Sequence, residues 1–89
     1  MSKPKRQARR EQLEKRYSGC EDAIMSLNIM LEANKMLKRA IDKLCSDEVT
    51  KEGLAKTRTT INYDLLAMKD EISDIAMEIA EGIKEVDDA

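Results

Sequence analysis

Histidine, phenylalanine and tryptophan are absent from this chain of 89 residues, proline occurs once and glycine three times. Without histidine there is no Ser-His-Asp or Cys-His arrangement, and no Glu-x-x-His pair of the kind that holds two irons in a helical bundle. Gly19, Gly53 and Gly82 stand alone, so no glycine-rich loop can cradle a phosphate. Two tyrosines are the whole aromatic content and valine occurs only at Val49 and Val86, which argues against a β-rich core. Cys20 and Cys45 are the only cysteines. They lack the close spacing of a redox pair and the ligand count of a zinc site, and their apolar helical context reads as buried free thiols. No apolar run reaches membrane-spanning length, and the N-terminus has no apolar signal core. These absences lead us to expect an intracellular protein, cytoplasmic or nuclear, with no membrane contact, cofactor, metal, small-molecule substrate or enzymatic activity.

What is present is a helix-forming mixture, 42% hydrophobic and 38% charged. That profile belongs to long amphipathic helices or coiled coils. Between Ile61 and Val86 the apolar residues Ile61, Leu65, Met68, Ile72, Ile75 and Ile79 alternate in steps of four and three and continue through Gly82 to Val86. On a helix this spacing makes one stripe that has to pack on another helix. A counterpart runs from Cys20 through Ala23, Leu27, Met30, Asn34, Leu37 and Ile41 to Leu44, widened by Ile24 and Leu31. Asn34 is the polar member of that seam, a residue that fixes register if its amide finds one partner.

Ser46, Asp47 and Glu48 end the first helix or start the second, with Ser46 or Asp47 as the cap. The stretch from Val49 to Gly53 is the least regular, and we read it as the turn or a weak first turn ahead of a helix from about Leu54. Ser18-Gly19-Cys20-Glu21 has the form of a capping box, although one helix running on from about residue 6 competes with it. The fold class expected is all-α: a long antiparallel helical hairpin, coiled-coil-like, that completes its core by self-association or with a helical partner. Its segments are a basic arm over 1–17, flexible or a helix extension, a hairpin over 18–86 (helices of about 18–45 and 47–86), and an acidic tail over 87–89.

Two features bear on function. Met25, Ile29, Ala33, Met36 and Ala40 line up on a second face of the first helix, outside the seam. With Met77 and Ala80 on the second helix they are the expected partner-binding surface, flexible methionine being suited to an adaptable contact. The arm carries Lys3, Lys5, Arg6, Arg9, Arg10, Lys15 and Arg16, while the stretch from Asp70 onward is strongly acidic. Carboxylate pairs such as Asp70 with Asp74 and Glu78 with Glu81 read as solvated charge. The leading expectation is a non-enzymatic helical subunit or adaptor of a multiprotein assembly, whose partner is another helical protein or a copy of itself. The alternative is a nucleic-acid-associated regulator whose Lys3, Lys5, Arg6, Arg9 and Arg10 contact phosphates.

Overall fold

The structure, a computed structural model, describes residues 4–88. Two α-helices account for nearly all of it: α1 over Lys5–Leu44 and α2 over Glu48–Asp88. They pair antiparallel as a helical hairpin, and no strand occurs among the described residues.

Helix α1 starts at Pro4, whose carbonyl accepts from the Ala8 N–H at 3.1 Å. Proline costs nothing there, because the first-turn N–H groups have no partner inside the helix. The helix then continues through Ser18 and Gly19, so the capping-box pattern is not used as a cap. One mid-helix glycine costs about 1 kcal/mol, too little to break so long a run of good helix formers. The residues of the arm from Lys5 onward are therefore helical; Lys3, the first of its basic residues, lies outside the described residues.

The turn is shorter and earlier than the sequence suggests. Only Cys45, Ser46 and Asp47 separate the helices, and the stretch from Val49 to Gly53 is already α2. Asp47 decides this. Its Oδ2 accepts from the Thr50 backbone N–H at 3.0 Å and from the Thr50 hydroxyl at 2.6 Å, while its carbonyl accepts from the Lys51 N–H at 3.1 Å. These bonds make Asp47 the N-cap, and Glu48 adds negative charge to the positive end of the helix dipole. The Thr50 hydroxyl and then the Thr50 N–H hold the Asp47 carboxyl below its usual pKa. Thr57, Thr59 and Thr60 donate their hydroxyls to the carbonyls of Gly53, Ala55 and Lys56, which keeps these β-branched residues inside the helix without an unmet polar group.

The chain packs as two compact units, one of residues up to Met25 with those from Asp70 onward, the other of Ser26–Lys69. In the first unit the arm contributes to the core. Leu13, Tyr17, Cys20 and Ile24 are half-buried, facing a stripe of α2 made by Ile72, Ala76, Ile79, Ile83 and Val86. Ile79 and Val86 are buried. Gly82 brings α1 close: a Cβ built there would sit 3.5 Å from Leu13 Cδ1. Gly82 is thus a site of close helix approach, and α2 runs on past it to Asp88.

Helix α2 has no basic residue in its last turn. Its exposed carbonyls are served from α1 instead. Arg6 Nε donates to the Val86 carbonyl at 2.7 Å and an Arg6 Nη to the Asp87 carbonyl at 3.0 Å. Arg10 bridges the Glu14 carboxylate at 2.8 Å and the Asp87 carboxylate. Its bond to Glu14 and the charge of Asp87 raise the guanidinium pKa further. Acidic residues at a helix C-terminus oppose the dipole, and these two arginines supply the missing positive charge.

The second unit holds the turn. Leu27 and Asn34 are buried, and Leu31, Ile41, Arg58, Asn62, Leu65 and Lys69 are half-buried. Asn34 Nδ2 donates to the Arg58 carbonyl at 3.0 Å, and Arg58 Nη1 donates to the Asn34 carbonyl at 3.3 Å. Cys20, in the first unit, and Cys45, in the second, are free and half-buried.

Candidate interaction surface

The seam residues the sequence nominates fall into two groups. Leu27, Asn34 and Ile79 are buried, and Ile41, Leu65 and Ile72 are half-buried. Met30, Leu37, Leu44, Ile61, Met68 and Ile75 are instead exposed, at 43–82%. The reason is geometric. Each helix carries three neighbouring rows of heptad-spaced residues, and two helices pressed together can enclose only two of them. The middle row runs Leu27–Asn34–Ile41 on α1 and Arg58–Leu65 on α2. The row enclosed beside it contains Leu31 and Lys38 on α1 and Ala55, Asn62 and Lys69 on α2. The row on the other flank is left outside.

In the Ser26–Lys69 unit this outer row is apolar throughout: Met30, Leu37 and Leu44 on α1, and Leu54, Ile61 and Met68 on α2. The seam beside it is half polar, containing Asn34, Lys38, Lys51, Arg58, Asn62 and Lys69. The opposite flank is a charged groove lined by Lys38, Asp42, Glu48 and Glu52, above Ile41 and Arg58. Since that groove takes the Lys38 and Glu48 sides of the helices, the outer rows of α1 and α2 share the other side of the unit.

The remaining unit has the reverse distribution. Its enclosed rows are almost wholly apolar, and its outer groove is lined by Arg9, Arg16, Glu78 and Glu85 around Ile75 and Gly82. An apolar seam under a charged flank is a self-sufficient helix pair. A polar seam beside an open apolar row is not, because the unit's best hydrophobic side chains remain in water.

The nominated partner-binding residues are all exposed: Met25, Ile29, Met36, Ala40, Met77 and Ala80. Of these, Ile29, Met36 and Ala40 border the outer row, since they lie beside Met30, Leu37 and Leu44 on consecutive turns of α1. Met77 and Ala80 point away from Ile75 across α2, and the structure does not bring them to the row. Reading period alone could not have separated the outer row from the seam, because both obey the same four-three rhythm.

Of the nominated polyanion contacts, Arg6 and Arg10 are engaged with the end of α2. Lys5 and Arg9 are exposed. No group of three or more cysteine, aspartate or glutamate side chains suited to a metal ion occurs among the described residues. No helix among them is long and apolar enough to cross a membrane.

No family model, characterised protein or solved structure matches this chain. Its function is therefore argued from its own surface.

Proposed function

We propose that the protein is a non-enzymatic helical interaction subunit, an adaptor in a multiprotein assembly, that docks partner helices on the outer row of the Ser26–Lys69 unit. One observation carries this reading: an unbroken apolar row stands open beside a half-polar seam. Three apolar positions in seven is the pattern of a helix with neighbours on two sides, whereas a two-helix seam uses two. Ile29, Met36 and Ala40 widen the face on α1, and its methionines let it adapt to the helix it receives. The phosphate-binding alternative is weakened, because Arg6 and Arg10 would have to leave the end of α2 to serve it.

The test compares the wild-type chain with a Leu37→Glu, Ile61→Glu variant as bait in native extract. Both sites are exposed in the isolated hairpin, so the variant should keep its helical circular dichroism. The reading expects a defined protein, this chain itself or another, to be retained by the wild type and lost from the variant. Equal retention by both would overturn the outer row as the docking face.

A further inference from the structure

We infer that the occupant of the outer row is a second copy of this chain, the two turn-proximal units pairing face to face as a four-helix bundle. This rests on the outer row being a docking face and adds the identity of what docks.

The first argument is the self-similarity of the face. Read outward from the turn, the row is Leu44, Leu37, Met30 on α1 and Leu54, Ile61, Met68 on α2. The two helices present nearly the same sequence of shapes at the same distances from the turn. A two-fold interface sets a surface against itself, so residue i meets residue j and j meets i. A face whose two halves are alike meets that condition with either helix of the copy opposite either helix of the first.

The second argument is charge. Neither half of the row contains a charged residue, and Ala33 and Ala40 continue the uncharged face on α1. Two like-charged surfaces would repel when a chain meets its copy, and this one has nothing to repel with. The small alanines beside Met30, Leu37 and Leu44 also leave room for a helix to approach closely.

The third argument is area. At 37–82% exposure, the six side chains leave on the order of 500 Å² of apolar surface open on each copy, near the upper end for a monomer's largest patch. With Ala33, Ala40 and the flanks of the seam the face approaches the roughly 800 Å² per partner of a standard interface. A copy brings just such a face of its own.

The decisive experiment is sedimentation equilibrium of the pure full chain, with the Leu37→Glu, Ile61→Glu variant beside it. The wild type is expected to be a dimer at micromolar concentration, and the variant's dissociation constant should rise at least about a hundredfold, since each copy contributes two central contacts. An Ile29→Glu, Met25→Glu variant, altered off the row, should remain dimeric. Concentration dependence of the wild-type melting temperature is a second readout that needs no variant. It should rise with concentration, as it does when folding is linked to association.

A wild-type chain that stays monomeric, with a melting temperature independent of concentration, overturns self-pairing. So does a dimer that survives Leu37→Glu, Ile61→Glu. If that monomer still loses an extract protein on the same substitutions, the interaction-subunit reading stands and only the identity of the occupant has failed.

Discussion

Asn34 and Arg58 hold each other's backbone: the Asn34 amide donates to the Arg58 carbonyl at 3.0 Å and the Arg58 guanidinium to the Asn34 carbonyl at 3.3 Å. Asn34 is only 6% exposed. A slip of one turn in the pairing would leave its amide buried against aliphatic side chains with no acceptor, so this reciprocal pair penalises every alignment but one.

Replacing Asn34 by alanine should therefore destabilise the hairpin by roughly 1–2 kcal/mol in urea melts, the cost of a lost bond and a poorly met carbonyl. Asn34→Leu should act differently. It removes the polar cost and adds apolar contact, so the melting temperature should hold or rise while the pairing loses its single register. Extra or broadened amide cross-peaks in a nitrogen–proton correlation spectrum would report that loss. A single sharp set of peaks would show that register is fixed elsewhere.

The end of α2 should depend on α1. Leu13 packs at Gly82, and Arg6 serves the carbonyls of Val86 and Asp87. Leu13→Ala combined with Arg6→Ala should lower hydrogen-exchange protection of amides from Ile79 to Val86 by tenfold or more, on the order of 1–2 kcal/mol for the lost leucine packing alone. Amides around Asn34 should change little. Uniform loss of protection through the whole chain would contradict the division into two units.

Asp47 gives a pH signature. Its carboxyl titrates lower in the folded chain than in the unfolded one, because the Thr50 hydroxyl and N–H favour the charged form. Its contribution is then present in full above the unfolded value of 3.8 and disappears as pH falls through the lower folded value. Asp47→Asn keeps an acceptor for the cap but cannot titrate, so its melting temperature should fall less steeply in acid than that of the wild type. Asp47→Ala should melt lower at neutral pH as well. Parallel acid profiles for the wild type and Asp47→Asn would remove Asp47 as a source of the pH dependence.

Glycine substitutions check the helix interiors. Nothing lies within 4 Å of a Cβ built at Gly19 or Gly53, and the one at Gly82 meets Leu13 at ordinary contact distance. Alanine at each position should raise stability by about 0.5–1 kcal/mol. A loss at Gly53 in thermal melts would mean that α2 begins later than Glu48.

Much of this fold can be read from the chain. The four-three rhythm from Leu27 to Ile41 and from Leu65 to Ile79 declares two helices, and the Ser46–Glu48 signals place the break between them. The phase of the seam cannot be read in the same way. Leu31 and Leu37 both fit a heptad with Leu27 and Asn34, and the choice between them depends on how the two helices face each other, a tertiary fact. The arm misleads for a related reason. Leu13 and Tyr17 look too sparse to anchor a helix, yet a long α2 reaches them and supplies Ile79, Ile83 and Val86 as the other half of the core. The partner-facing side follows from the same phase, which is why Met25 and Met77 look as eligible in sequence as Met30 and Met68.

Peroxide oxidation of those four methionines, followed by mass spectrometry at about 1 and about 100 µM protein, tests the outer row most directly. In the isolated chain they are similarly open: Met30 and Met68 at 53% and 51%, Met25 and Met77 at 62% and 68%. The account predicts that Met30 and Met68 become severalfold slower to oxidise at the higher concentration while Met25 and Met77 keep their rates, because the copy covers only the outer row. Four rates that stay equal, or protection at Met25 and Met77 instead, would contradict it.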